Sequence, residues 1–120
     1  MAEIYVIAGT GAAGMAAAER IRLYKKDVTV LMMSIDEYSH SRCMLHKFLG
    51  GERTEEELSF VEPDFFEKNE IHWGKGQKAL GLDTKKKQIR MENGYQPYDK
   101  LLIATGSVFG IPPINNFRTA

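Results

Sequence analysis

The chain has 120 residues, 43% of them hydrophobic, and its 16 lysines and arginines balance 16 aspartates and glutamates. That length suffices for a single core, and the neutral balance offers no broad field for nucleic acid or an anionic membrane. One cysteine excludes an internal disulfide, no apolar run approaches the ~20 residues that span a bilayer, and no basic-then-apolar leader opens the sequence, so a cytoplasmic protein is expected.

The first element is the apolar run Ile4-Tyr5-Val6-Ile7-Ala8, which breaks into Gly9-Thr10-Gly11-Ala12-Ala13-Gly14 and continues into an alanine-rich segment. This order reads as strand, tight turn and helix, with the G-x-G-x-x-G glycines in distinct roles. Gly9 permits the turn, Gly11 lets a phosphate approach the backbone, and Gly14 lets helix and strand pack closely. Nothing resembling G-K-[ST] follows, which excludes a P-loop. Ala17, Ala18 and Ile21 join Gly14 at helical spacing to form a small-residue face, and the helix is expected to end near Tyr24. Lys25 and Lys26 suit the negative end of its dipole. Val28 to Met33 then reads as a strand buried on both faces, completing a parallel β-α-β unit of the expected ~30 residues.

A polar, irregular segment from Ser34 to Ser41 leads to a short helix expected around Cys43 to Leu49, stopped by Gly50-Gly51. Glu52 to Glu57 reads as a solvated loop or helical turn. Glu62-Pro63-Asp64 opens another helix, followed by a brief strand at Ile71 to Trp73. Between Lys75 and Tyr98 the period falls to two: Leu80 and Leu82 alternate with polar neighbours, as do Ile89 and Met91, and Asn93-Gly94 signals a tight turn. A small antiparallel β-meander is expected there. Leu101 to Gly106 is a further strand returning to the main sheet, and Ile111-Pro112-Pro113-Ile114 reads as a linker.

The glycine turn in this context points to dinucleotide binding. The acid that usually contacts ribose lies ~20 residues further on; here the second strand ends in Ser34, and Asp36 and Glu37 come slightly late. The ribose contact is therefore open between Asp36, Ser34 and backbone, and no arginine stands there to favour a 2′-phosphate. Cys43 lies at an expected helix N-terminus beside Arg42 and near His40 and His46, all of which favour a thiolate. It reads either as a redox thiol or as a small packed hydrophobe. His40, Cys43 and His46 make a poor zinc site, with three ligands on one short stretch and no fourth, so no metal is expected. Arg42 and Lys47 read as cations set against an electron-rich cofactor or as a solvated helix face.

Taken together, the parts resemble the N-terminal FAD-binding portion of the pyridine nucleotide-disulfide oxidoreductases, and most closely the rubredoxin and ferredoxin reductases and the nitrite reductase large subunit. The resemblance rests on Gly9 to Gly14 at one end and Tyr98-Asp99-Lys100-Leu101-Leu102-Ile103-Ala104-Thr105-Gly106 at the other, similar to the family's Y-D-x-L-hydrophobic-x-A-T-G segment. It implies an α/β fold, a Rossmann-like parallel sheet with an inserted antiparallel meander. It also implies that Gly9, Gly11, Ala12 and Gly14, together with Ala104, Thr105 and Gly106, lie at the FAD diphosphate. Asp36 and Ser34 would approach the adenosine ribose, Ala79 would meet the adenine through its backbone, and Arg42 and Lys47 would lie near the flavin. Cys43 stands where the R-P-x-L-x-K pattern has proline. It aligns with the redox cysteine of single-cysteine peroxidases and coenzyme A disulfide reductases, although Met44-Leu45-His46 departs from their small residue, leucine and proline.

Family members continue into an NAD(P)H domain and return with a further strand near the flavin. The resemblance therefore implies an incomplete FAD domain over residues 1–110 and a linker over 111–120, with weak or no FAD binding and no turnover by this piece alone. The implied whole is an FAD-dependent enzyme passing electrons from NAD(P)H to a small rubredoxin- or ferredoxin-like protein, a disulfide-like acceptor or another small molecule. A non-catalytic nucleotide-binding or regulatory module is the alternative.

Overall fold

The computed structural model describes residues 2–36, 44–54, 56–59, 61–107 and Pro113. Strand β1 (Ile4–Ala8) runs into helix α1 (Ala12–Tyr24), which returns to β2 (Thr29–Met33) lying parallel to β1 in the register Ile4↔Thr29 through Ala8↔Met33. Next come the short helix α2 (Leu45–Leu49), a 3-10 turn at Glu56–Leu58, helix α3 (Phe65–Lys68) and strand β3 (Ile71–Gly74). Strands β4 (Ala79–Asp83), β5 (Gln88–Met91) and β6 (Gly94–Pro97) form an antiparallel meander, and β7 (Lys100–Ile103) closes the series. The main sheet has the order β3-β2-β1-β7, and every pairing in it is parallel.

The unbroken apolar run of β1 follows from its two buried faces. Tyr5 and Ile7 point to the helical side, where they cluster with Met15 and Ala18 of α1, with Val30 and Met32 of β2, and with Phe65 and Ile71. Val6 and Ala8 point to the other side, where Met33 and Ile89 meet them. Ile89, only 2% exposed, and the partly buried Met91 thus seat the meander on the main sheet, whereas Leu80 and Leu82 face outward. Period two marked a face in each of these strands; only β5 found a partner for its own. The turn between β5 and β6 is centred one residue earlier than the Asn93-Gly94 signal, since Met91 pairs with Gly94 and leaves Glu92-Asn93 in the bend.

Several boundaries move slightly from the sequence reading. Strand β2 begins at Thr29 rather than Val28, β7 ends at Ile103, and the helix expected from Cys43 begins at Leu45, with Cys43 itself outside the described residues. The linker expected over 111–120 also lies outside them, Pro113 excepted. The acidic stretch ends in an ordered start: Thr54 and Glu57 exchange reciprocal side-chain and backbone bonds of 3.2 and 3.3 Å, a capping box opening the 3-10 turn.

Arg22, rather than the neighbouring lysines, closes α1. Its guanidinium donates to the carbonyls of Lys25, Lys26 and Val28 at the helix end, and to those of Asn69 and Glu70 after α3, at 2.7–3.3 Å. One planar guanidinium thus gathers five carbonyls from the segments that follow two helices, with Nη1 shared among three of them. Among the described residues no helix is long and apolar enough to cross a membrane.

Candidate nucleotide-binding site

The carboxyl ends of β1, β2 and β7 open into a cleft of about 430 Å³, inside the ~300–1,000 Å³ range of small-ligand sites. Its position follows from the topology. From β1 the chain proceeds outward through β2 and β3, while β7 lies on the opposite side of β1, so the strand order reverses about β1. Open α/β sheets bind ligands in that crevice.

The three glycines differ in what surrounds them. Gly9 has φ +121°, and a Cβ there would overlap the carbonyl oxygen of Ala104. Its N–H donates to the Met33 carbonyl at 2.8 Å, so Gly9 is held between the ends of β2 and β7. A Cβ on Gly14 would overlap the Gly9 carbonyl, so the helix lies on the turn at a separation only glycine permits. Gly11 differs: a Cβ there would meet nothing within 4 Å, and its φ of −80° suits any residue. The space in front of Gly11 belongs to the cleft. Helix α1 opens beside it at Ala12 with no side-chain cap and no acid in its first turn, leaving its positive end toward the cleft. A diphosphate fits this wall: it needs backbone access, N–H donors and no competing carboxylate.

The opposite wall comes from the far end of the sequence. Ala104, Thr105 and Gly106 line the cleft, the Ala104 N–H donating to the Ala8 carbonyl at 2.8 Å and Gly106 adopting φ +71°. Sequence reasoning quoted Asp99 within the closing motif and gave it no contact of its own. Asp99 accepts a 2.7 Å bond from the Ile4 N–H through its carboxylate and donates its own N–H to the Ile4 carbonyl at 2.8 Å. This clip at the opposite end of β1 fixes the register Tyr5↔Lys100 through Ala8↔Ile103, and so the height at which Ala104 meets Gly9.

Ser34, Asp36 and Ala79 lie at the same cleft, together with Ile35, Gln77 and Lys78, which the sequence reading did not single out. Lys78 was legible as a cation just before the meander; Gln77 had no signal. Ser34 is 8% exposed, and its hydroxyl donates to the Asp36 carbonyl at 2.6 Å and accepts from the Trp73 indole N–H at 3.0 Å. Asp36 is exposed at the rim. Lys47 lies on α2, ion-paired with Glu52 at 2.8 Å, and is not among the described residues that line the cleft. Arg42 and Cys43 fall outside the described residues. Among the described residues no cluster of histidine, cysteine, aspartate or glutamate is arranged to hold a metal.

Residues 4–119 match the family described as pyridine nucleotide-disulphide oxidoreductase. The chain belongs to this family. Pyridine nucleotide-disulphide oxidoreductases use FAD and NAD(P)H. A nitrite reductase [NAD(P)H] from Bacillus subtilis is 31% identical over 112 residues, which cover 91% of this chain and 14% of that protein. The crystal structure of the NADH:rubredoxin oxidoreductase from Clostridium acetobutylicum superposes with a TM-score of 0.84 at 24% identity, covering 97% of this chain and 31% of that one. The reduced CoADR-RHD of Bacillus anthracis gives a TM-score of 0.88 at 20% identity over the whole of this chain and 23% of its own. At these identities the solved structures establish the fold, a parallel sheet with helices and a small antiparallel sheet. The chain thus spans well under half the length of each of these proteins.

Proposed function

We propose that this chain forms the diphosphate-gripping part of an FAD site in a flavin-dependent NAD(P)H oxidoreductase. One observation carries the reading: the glycine turn after β1 meets Ala104-Thr105-Gly106 from β7, so two segments far apart in the sequence line one cleft that leaves open space before Gly11. A turn serving only the fold would have no use for a glycine at position 11, where a side chain has room.

In this reading Gly9, Gly11 and the first N–H groups of α1 bind the diphosphate, with Ala12 at the helix start and Gly14 holding the helix close enough to do so. Asp36 meets ribose hydroxyls at the end of β2, and Ala79 borders the adenine. Arg42 and Lys47 supply positive charge near the flavin ring, and Cys43 is either packed or redox-active there. FAD, when bound, supplies hydride acceptance from NAD(P)H and electron delivery onward. The acceptor is a small redox protein of the rubredoxin or ferredoxin kind, or a small disulfide-like molecule. Residues 1–110 then belong to the FAD domain and 111–120 lead toward the NAD(P)H domain.

The test uses the intact protein that carries this chain. Purified under air and reconstituted with FAD, it is expected to show flavin absorbance that NADH or NADPH bleaches under anaerobic conditions, and Gly11→Val is expected to abolish flavin retention. A protein that neither retains FAD nor oxidises NAD(P)H would sink the reading and leave a nucleotide-binding module without catalysis. The chain alone is expected to bind FAD weakly and not to turn over.

A further inference from the structure

The geometry points to Trp73 as a positioning residue for the nucleotide cleft: acting through the Ser34 hydroxyl, it fixes the turn that carries Asp36 and so sets affinity for the nucleoside end of the ligand. The inference rests on the nucleotide reading above and adds a residue that touches no ligand.

The chemistry of the contact fixes its direction. An indole N–H can only donate, so Ser34 Oγ must accept from Trp73 at 3.0 Å. The hydroxyl hydrogen is thereby turned elsewhere, and it meets the Asp36 carbonyl at 2.6 Å. A serine hydroxyl is ordinarily a free rotor; this one is held in a single orientation by a donor whose own position is constrained. The Trp73 ring stacks on Phe66 with centroids 4.4 Å apart and planes 18° apart, and the Lys75 ammonium lies 4.8 Å from its centroid on β3's exit. Aromatic stacking and a cation over the ring both hold the indole in place.

The backbone of Ser34 extends the arrangement to the other lip. Its N–H donates to the Gly74 carbonyl at 3.2 Å, and its carbonyl accepts from the Gln77 N–H at 2.7 Å. Ser34 therefore joins the Asp36 turn on one side to Gln77, Lys78 and Ala79 on the other, and both flank the cleft. Gly9 meets the relay only through the Met33 carbonyl that accepts its N–H, and Gly11 stands outside it, so the two halves of the site respond separately: diphosphate at Gly11 and the start of α1, nucleoside beyond Ser34.

The experiment titrates this chain with ADP and, separately, with inorganic pyrophosphate, followed by NMR of the backbone amides and of the one indole N–H. Trp73 is the single tryptophan, so that signal is unambiguous. ADP is expected to move the Trp73 indole N–H and the Asp36 amide; pyrophosphate is expected to move Gly11 and Ala12 and leave the indole in place. Trp73→Phe, which keeps a ring against Phe66, is expected to weaken ADP about fivefold to tenfold and pyrophosphate less than twofold. Ser34→Ala cuts the same relay from its other end without disturbing the aromatic stack, and is expected to give the same split. The double variant is expected to be no more than twofold weaker than either single one, because both remove one connection.

Equal loss of ADP and pyrophosphate affinity, additive effects in the double variant, or unchanged ADP affinity in a folded Trp73→Phe would each overturn the positioning role while leaving the cleft as a nucleotide site. Where the unaltered chain binds neither ligand, the same variants are compared for ADP and FAD affinity in the intact protein that carries it; failure of that protein to bind either would remove the nucleotide reading, and unchanged affinities in its Trp73→Phe and Ser34→Ala variants would remove the positioning role.

Discussion

The three glycines make a controlled comparison within one turn, because the structure assigns each a different consequence for the same added methyl group. At Gly14 an alanine gains roughly 1 kcal/mol of helix propensity over glycine. Against this, its Cβ falls on the Gly9 carbonyl, a backbone atom that cannot swing aside. Overpacking of this kind costs about 1–3 kcal/mol and more where backbone must move, so a net loss of about 2 kcal/mol is expected. At Gly9 the same methyl group meets the Ala104 carbonyl and also requires a backbone with φ +121°. Strain of about 1–3 kcal/mol adds to the steric term, giving a loss of about 3 kcal/mol or more. At Gly11 the φ is ordinary and the space is empty. The lost glycine preference at a helix cap, roughly 0.5–1 kcal/mol, is offset by roughly 0.4–1 kcal/mol of reduced unfolded-state freedom.

Thermal unfolding followed by circular dichroism separates these cases. At roughly 4 °C per kcal/mol for a domain of this size, Gly9→Ala should lose about 12 °C, Gly14→Ala about 8 °C and Gly11→Ala less than about 3 °C. ADP affinity should rank the other way for its cause: Gly11→Ala folds normally and weakens binding by about tenfold, equivalent to about 1.4 kcal/mol. A Gly11→Ala protein as unstable as Gly14→Ala, or one that binds ADP as the parent does, would refute the assignment of that empty space to a ligand.

Asp99→Ala is expected to lower stability by about 1–2 kcal/mol through loss of its charge-assisted bond to the Ile4 N–H, with Asp99→Asn recovering much of it, as read in urea unfolding. Ile89→Ala should cost about 2–4 kcal/mol, because it removes the most buried side chain that the meander places against the sheet; a loss below about 1 kcal/mol would show that Ile89 does not hold the two sheets together. Lys47→Ala breaks a pair exposed 34% and 63% on its two side chains, so stability should change by less than about 1 kcal/mol. Any large fall in flavin turnover of the intact protein would then report a role for the Lys47 charge itself.

What the sequence made legible was whatever local pattern encodes. An apolar run meeting spaced glycines specifies strand, turn and helix because each residue's demand is local, whereas Ala104-Thr105-Gly106 read locally only as the end of a strand and was set beside the glycine turn by the resemblance to the family's closing segment. The Ser34 to Trp73 contact had no such signature, since it joins residues 39 apart that come together only when β3 pairs with β2. Asp99 likewise read as part of a motif, while its bond to Ile4 depends on β7 crossing the whole fold. The role of Arg22 had no local signature either, because the carbonyls it gathers come partly from after α3. Long-range hydrogen bonds to backbone leave almost no trace in composition, since any carbonyl can accept them.

The pairing of β1 with β7 also sets a schedule. The first strand, its turn and α1 leave the ribosome early, yet Gly9 acquires its neighbour at Ala104 only after the meander has been made. At synthesis rates of ~5–20 residues per second the turn waits several seconds for that strand. Until then one long edge of β1 is unpaired, with Val6 and Ala8 lacking Ile89 above them. Within residues 4–106 the cleft is therefore the product of the latest pairing in the main sheet, and its two walls meet only once β7 has returned to β1.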